Sequence, residues 1–369
     1  MPFWIWLILG FVLLSFLGMF AATWPIAKKV YHNILVRTGP EKWTRANSYP
    51  PNPEHTRMFD LGMDWARENE ARKRPVSIEN EGLKLAGEYF DFGHKRCAII
   101  FPGRTESLYY SYYFAQPYAE AGCNILVVDS RAHGLSEGKY NYCSTREWSD
   151  VIAWSRFAHD RLGCSDVVLH GICVGGAAVV LAAAKPDFPA YVSHLVVEGL
   201  FATFLESFKL HMKAEKRPIF PVLYEIFWAA WLESGMKIRE ARPIRVIGKV
   251  KTPILFLHGR KDAFSLPKRA EALYAACNAP KELVWMDEGS HSHLRINNQE
   301  LYDTPVATVC GISSSRKNNT SKGKLEDCTN NVRLVALSFI SDSSRNDIVS
   351  SKRRPLACTA ILNMIRFTI

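Results

Sequence analysis

Gly171-Ile172-Cys173-Val174-Gly175 decides how this chain folds. It places a nucleophile-class side chain in a turn between the short apolar run Val167 to His170 and the small-residue run Val174 to Ala184. The first run predicts a strand and the second a helix, so the pentapeptide reads as the nucleophile elbow GxSxG with cysteine in the serine position. Gly171, Gly175 and Gly176 remove the Cβ atoms that would clash where such a turn packs. A free cysteine alone can be a small buried hydrophobe, so Cys173 gains meaning only from the residues that follow it.

Those residues come in the order nucleophile, acid, histidine. The strand expected over Pro253 to His258 runs into Gly259-Arg260-Lys261-Asp262, which puts a carboxylate at the C-terminal end of a strand, where open α/β sheets place their sites. The strand expected over Lys281 to Met286 runs into Asp287-Glu288-Gly289-Ser290-His291. With Cys173 as nucleophile, His291 is the expected base and Asp262 the group that fixes its tautomer. Two alternatives stand beside them. His293 lies two residues beyond His291 and is the alternative base; His291 is favoured because it directly follows the small pair Gly289 and Ser290. Glu198, at the end of the strand His194 to Val197, is the alternative acid.

The strand Cys97 to Phe101 ends in Pro102-Gly103-Arg104. A glycine there allows the chain to turn the next N–H toward the site, so the backbone N–H groups of Arg104 and Val174 are the expected oxyanion hole, helped by the dipole of the helix after Cys173. That dipole and a histidine partner favour a thiolate at Cys173.

Residues of about 76 to 300 resemble the α/β-hydrolase superfamily, in the branch of serine aminopeptidase-like hydrolases and monoglyceride-lipase-like esterases. Beside the triad, the loop Pro102 to Ser107 and the turn Asp129-Ser130-Arg131-Ala132-His133-Gly134-Leu135-Ser136 are similar to that branch's loops after its third and fourth strands. The resemblance makes His133 a structural part of its turn. The chain departs from the branch in carrying cysteine for the usual serine and Pro102 for the usual histidine before the oxyanion glycine. Its elbow, GICVGG, also resembles those of dienelactone hydrolases and bile-acid acyltransferases. The implied fold is an α/β hydrolase: a mostly parallel central sheet with flanking helices and a helical cap.

A chain of 369 residues with 48% hydrophobic content can bury one full catalytic domain. Its nine cysteines are scattered, without CxxC pairs or metal-ligand spacing to histidines, so they read as reduced thiols, and neither metal nor cofactor is expected. Phe3 to Thr23 is uncharged and apolar, and its 21 residues span roughly 30 Å of helix, one bilayer core. No Lys or Arg precedes that run, as a signal peptide would require. Lys28, Lys29, Arg37 and Lys42 follow it, placing the C-terminal side in the cytoplasm. Trp4, Trp6 and Trp24 bracket the span as interfacial anchors.

The expected organisation is therefore an anchor over residues 1–27, a connector over 28–75, a hydrolase domain over 76–310 and a poorly ordered basic tail over 311–369. The connector is punctuated by Pro50, Pro51 and Pro53, with a capped helix from Pro53 to Glu70. A hairpin over Val76 to Asp91, turned at Glu79 to Gly82, opens the sheet. A helical cap over about 200–240 carries Phe201, Phe204, Phe208, Phe220, Tyr224, Phe227, Trp228 and Trp231, and Pro305 and Gly311 cut short the last helix. The tail holds ten Lys/Arg against four Asp/Glu and so supplies +6 of the +10 net charge; the basic balance is a tail property and no sign of nucleic-acid binding.

Three functions follow as expectations. One is a membrane-tethered hydrolase that cleaves a small-molecule acyl ester or thioester through an acyl-cysteine intermediate. The second is an acyltransferase using the same intermediate. The third is a hydrolase-fold binding protein that has lost its serine. The apolar cap suits an acyl or aromatic substrate, and the lipid bilayer is the other expected partner.

Overall fold

The computed structural model describes residues 2–46 and 52–311. Pro50, Pro51 and the tail expected beyond residue 311 lie outside them. Eight strands form one sheet: β1 (Lys73–Asn80), β2 (Leu83–Phe90), β3 (Arg96–Phe101), β4 (Asn124–Val128), β5 (Asp166–Ile172), β6 (Val192–Glu198), β7 (Ile254–Gly259) and β8 (Lys281–Met286). Their spatial order is β1-β2-β4-β3-β5-β6-β7-β8. β2 is antiparallel to β1 and β4, and the remaining pairs are parallel. The hairpin closes on Glu81 and Gly82, both at positive φ, a two-residue turn that matches the strands' own twist. The central strands read as continuous apolar runs because helices cover both faces. β4, for example, is buried at all five residues.

The main helices are α1 (Phe3–Leu35), α2 (Pro53–Glu68), α3 (Glu147–Asp160), α4 (Val174–Ala183), α5 (Phe204–Ala214), α6 (Val222–Ser234), α7 (Pro267–Ala276) and α8 (Gln299–Val309). Every residue of α4 is buried, and its Gly and Ala content lets it lie close on the sheet. α5 and α6 stand between β6 and β7, where the cap was expected. α2 begins with Pro53 at its first turn and with Asn52 accepting from the N–H groups of Glu54 and His55, which satisfies two of the otherwise orphaned donors. Its buried side, His55, Met58, Gly62 and Ala66, packs on the domain.

Two boundaries differ from the expectation. The N-terminal helix does not stop at residue 27. It continues to Leu35 because Ala27, Val30, Tyr31 and Leu35 form a buried stripe against the domain. An apolar run and an amphipathic run thus join in one helix, through Pro25. Pro305 does not end α8 either. Tyr302 and Val306, one turn apart, are fully buried, and this packing outweighs the proline penalty of ~3 kcal/mol.

Candidate active site

Cys173 occupies the turn between β5 and α4 at φ 51, ψ −106. A non-glycine residue at positive φ is strained and persists only where its surroundings hold it. The hold comes from backbone packing. A Cβ at Gly171 would lie 2.5 Å from Gly176 Cα, and a Cβ at Gly175 would lie 2.4 Å from the Phe101 carbonyl oxygen. Both glycines are therefore required by contact, and β3, β5 and α4 fix the cysteine between them. The Cys173 N–H donates to the Glu198 carbonyl at 2.9 Å.

Asp262 and His291 meet as expected. His291 Nδ1 lies 2.7 Å from Asp262 Oδ2. Asp262 Oδ1 accepts from the N–H groups of Phe264 and Ser265 at 2.8 and 2.7 Å. These donors orient the carboxylate. Burial alone would raise the Asp262 carboxyl, but the His291 charge and its hydrogen bond outweigh that and hold it below the ordinary range. At His291, burial opposes the charged ring, while the charges of Cys173 and Asp262 overcome burial and keep the imidazole well above its usual value. His291 Nε2 is buried, a side-chain hydrogen bond with Cys173 helps to raise the ring, and the ring lines the same cavity of about 60 Å³ as Cys173. The two alternatives are engaged elsewhere. His293 contacts Ser290 Oγ through Nδ1 at 2.9 Å and His55 Nδ1 of α2 through Nε2 at 3.3 Å. Glu198 Oε2 accepts from the Tyr302 hydroxyl at 2.5 Å, and burial pushes its carboxyl up to about 7.

Arg104 and Val174 both line the cavity. Val174 opens α4, where the first N–H groups have no intrahelical acceptor. The Arg104 carbonyl is fixed by His133 Nε2 at 2.7 Å and by Asn141 Nδ2 at 2.8 Å. His133 also stacks on Trp43 with ring centroids 4.5 Å apart, so its turn is tied both to the loop after β3, through Arg104, and to the segment that follows α1. The cap supplies the remaining wall: Phe201, Phe204, Phe208 and His211. That volume holds only a few waters, and the cap covers the nucleophile.

Three residues near the site escaped the sequence reading. Glu106 is buried, with the Gly103 N–H donating to its Oε2 at 2.9 Å, and burial raises its carboxyl. Gly199, at φ 57, lies under the pair: a Cβ there would sit 3.2 Å from His291 Cε1 and 3.6 Å from Asp262 Oδ2. His258 Nε2 lies 3.9 Å from Asp262 Oδ2 and contacts the Ser265 carbonyl at 2.6 Å. The signal for Gly199 was its place directly after a strand-end acid. Glu106 stood in the quoted loop without a role.

Comparison with known proteins identifies the fold. A model of the alpha/beta hydrolase family matches residues 98–304. The chain is 27% identical to the uncharacterized protein YqkD of Bacillus subtilis over 212 residues, covering 56% of this chain and 68% of that one. It is 21% identical to human alpha/beta hydrolase domain-containing protein 17B over 280 residues, 68% of this chain and 85% of the relative. Among solved structures, the esterase Pf2001 of Pyrococcus furiosus superposes with a TM-score of 0.55 at 21% identity, covering 66% of this chain and 93% of the esterase. With the match running from within β3 past the end of β8 and including the elbow, this chain belongs to the alpha/beta hydrolase family.

Proposed function

We propose that this protein is a membrane-anchored hydrolase that cleaves a carboxylic ester or thioester through an acyl-Cys173 intermediate, with His291 as base, Asp262 as its orienter and the N–H groups of Arg104 and Val174 as the oxyanion hole. The observation that carries this reading is the strained cysteine sharing a cavity with an imidazole whose other nitrogen is bonded to a buried carboxylate. The Cys173 sulfur attacks the acyl carbon and its proton resides on His291 Nε2. The oxyanion forms against the two backbone donors. The imidazolium protonates the leaving alcohol or thiol as the tetrahedral intermediate collapses to a thioester. Water, deprotonated by His291, then attacks that thioester, and Cys173 leaves as the thiolate. Asp262 stabilises the imidazolium in both halves. The same intermediate would serve acyl transfer to an amine or thiol.

The apolar lining by Phe201, Phe204 and Phe208 supports an acyl or aromatic substrate. α1 supports the anchor, since its most apolar 18-residue window is not buried inside the protein at all. Lys28 and Lys29 after that run support a cytoplasmic domain.

The test is turnover of short acyl esters and thioesters by the full chain and two variants. Cys173→Ala is expected to abolish turnover. Cys173→Ser is expected to weaken it, because an alkoxide is harder to generate than a thiolate. A serine variant much more active than the parent would refute the thiol mechanism and favour a binding protein that has lost its serine. For the anchor, membrane fractions should retain the full-length chain, and protease outside intact cells should spare the domain; release of a shortened soluble form would refute it.

A further inference from the structure

Apart from Glu225, Glu233 and Ser234, cap helix α6 is built of apolar and aromatic residues. Its inner face, with Val222, Leu223, Ile226, Phe227 and Ala230, is buried. Its outer face carries Tyr224, Trp228, Trp231 and Leu232, which are 40 to 63% exposed, and Phe220 just before the helix is 55% exposed. These helix positions recur at three- and four-residue spacing and so share one side. A helix with apolar residues on both its inner and its outer side belongs in a core or in lipid, and contiguous exposed apolar area of this kind marks an interaction surface.

The structure joins this face to the anchor. Phe20 of α1 stacks on Trp228 with ring centroids 5.7 Å apart and meets Phe220 edge-on at 6.0 Å. Below it, Thr23 Oγ1 donates to the fully buried Glu225 at 2.8 Å. Further along, Lys28 and His32 contact Glu233 at 3.1 and 2.8 Å. The two helices thus run side by side in the same sense. Phe20 lies about 4.5 Å of helical rise inside the end of the apolar run at Thr23. Phe220 and Trp228 therefore sit at a depth already apolar on α1. A groove of about 460 Å³ opens along this seam, lined by Phe20, Tyr224 and Trp231 together with Lys237 and Arg239. Aromatic side chains beside cations are the pattern of a helix at the boundary between headgroups and acyl chains.

We infer that α6 is a second membrane-contact element, its Phe220–Leu232 face immersed in the headgroup–acyl boundary of the bilayer that α1 spans. The occupant of the face and groove is bilayer phospholipid. This inference rests on the anchor reading of α1. Its consequence reaches the site, because Phe227 on the inner side of α6 packs on Phe208 with centroids 6.5 Å apart, and Phe208 lines the cavity above Cys173. The wall of the cavity is thus backed by a helix resting on lipid.

The test is photolabelling of the full chain in phosphatidylcholine vesicles doped with a phosphatidylcholine that carries a diazirine on one acyl chain. Adducts are mapped by mass spectrometry. Adducts are expected on the apolar run of α1 and on the peptide covering Phe220 to Leu232. The Trp228→Glu/Trp231→Glu variant should lose the second set and keep the first. The single exposed change Leu232→Lys should reduce it if the double variant fails to fold. Adducts on α1 with none on α6 would overturn the inference while leaving the anchor intact, the face then being covered by a second copy of this chain or another protein. Adducts on neither would overturn both.

Discussion

Gly175→Ala tests the elbow at the point where geometry is tightest. The new Cβ would lie 2.4 Å from the Phe101 carbonyl oxygen and 2.7 Å from that of Pro102. Cβ atoms essentially never approach within 3.0 Å of a neighbour, so the Phe101 contact alone is 0.6 Å too short. Both neighbours are backbone, and no side chain can swing away. Either the elbow or the end of β3 must move by the better part of 1 Å. Inserted methyl groups in packed interiors cost about 1–3 kcal/mol, and a ~1 Å misplacement of reacting groups costs on the order of 100-fold in rate. The movement separates Cys173 from the Arg104 N–H, because Phe101 and Pro102 lead directly into that loop. The assay is thermal unfolding together with the rate of Cys173 alkylation and of ester turnover. The expected result is a lower Tm and a turnover loss of about two orders of magnitude. An alanine variant with the parent's Tm and turnover would refute the packing account of the elbow.

Three further predictions follow from the same geometry. His291→Ala should slow alkylation of Cys173 near neutral pH to the rate of an ordinary thiol, whereas His293→Ala should leave it unchanged and lower Tm through the lost contacts to Ser290 and His55; equal slowing by both changes would contradict the base assignment. Gly199→Ala should lower turnover without loss of fold, since its Cβ would press on His291 at 3.2 Å, with unchanged turnover as the contrary result. Glu198 bears on pH. Burial pushes its carboxyl up from 4.5 to about 7, so the folded state holds a proton that the unfolded chain releases near 4.5. That contribution is complete below about 4.5 and is lost as pH rises toward 7, by about 3 kcal/mol at most. Glu198→Gln should flatten the fall in Tm between those pH values, and an unchanged slope would show that Glu198 is not the titrating group.

The residues that were legible beforehand are those whose signal is local. The elbow could be read because a strand, a small turn and a helix lie within a few residues of Cys173, and each later partner closes its own strand. The cap could be read from its place between β6 and β7. What escaped depends on contacts between distant segments. The run-on of α1 to Leu35 is set by a stripe that buries against the domain, not by the apolar run that precedes it. His293 is held by His55, 238 positions away in sequence. Gly199 matters through a ring brought over it by the loop after β8. Pro305 stops nothing because Tyr302 and Val306 bury around it.

The central claim is covalent chemistry at Cys173, and intact mass with peptide mapping after incubation with a panel of acyl esters and thioesters tests it most directly. The account predicts an acyl mass gain located on Cys173, absent in Cys173→Ala and released by water on longer incubation. No gain across the panel, or a gain on another cysteine that persists in Cys173→Ala, would contradict it.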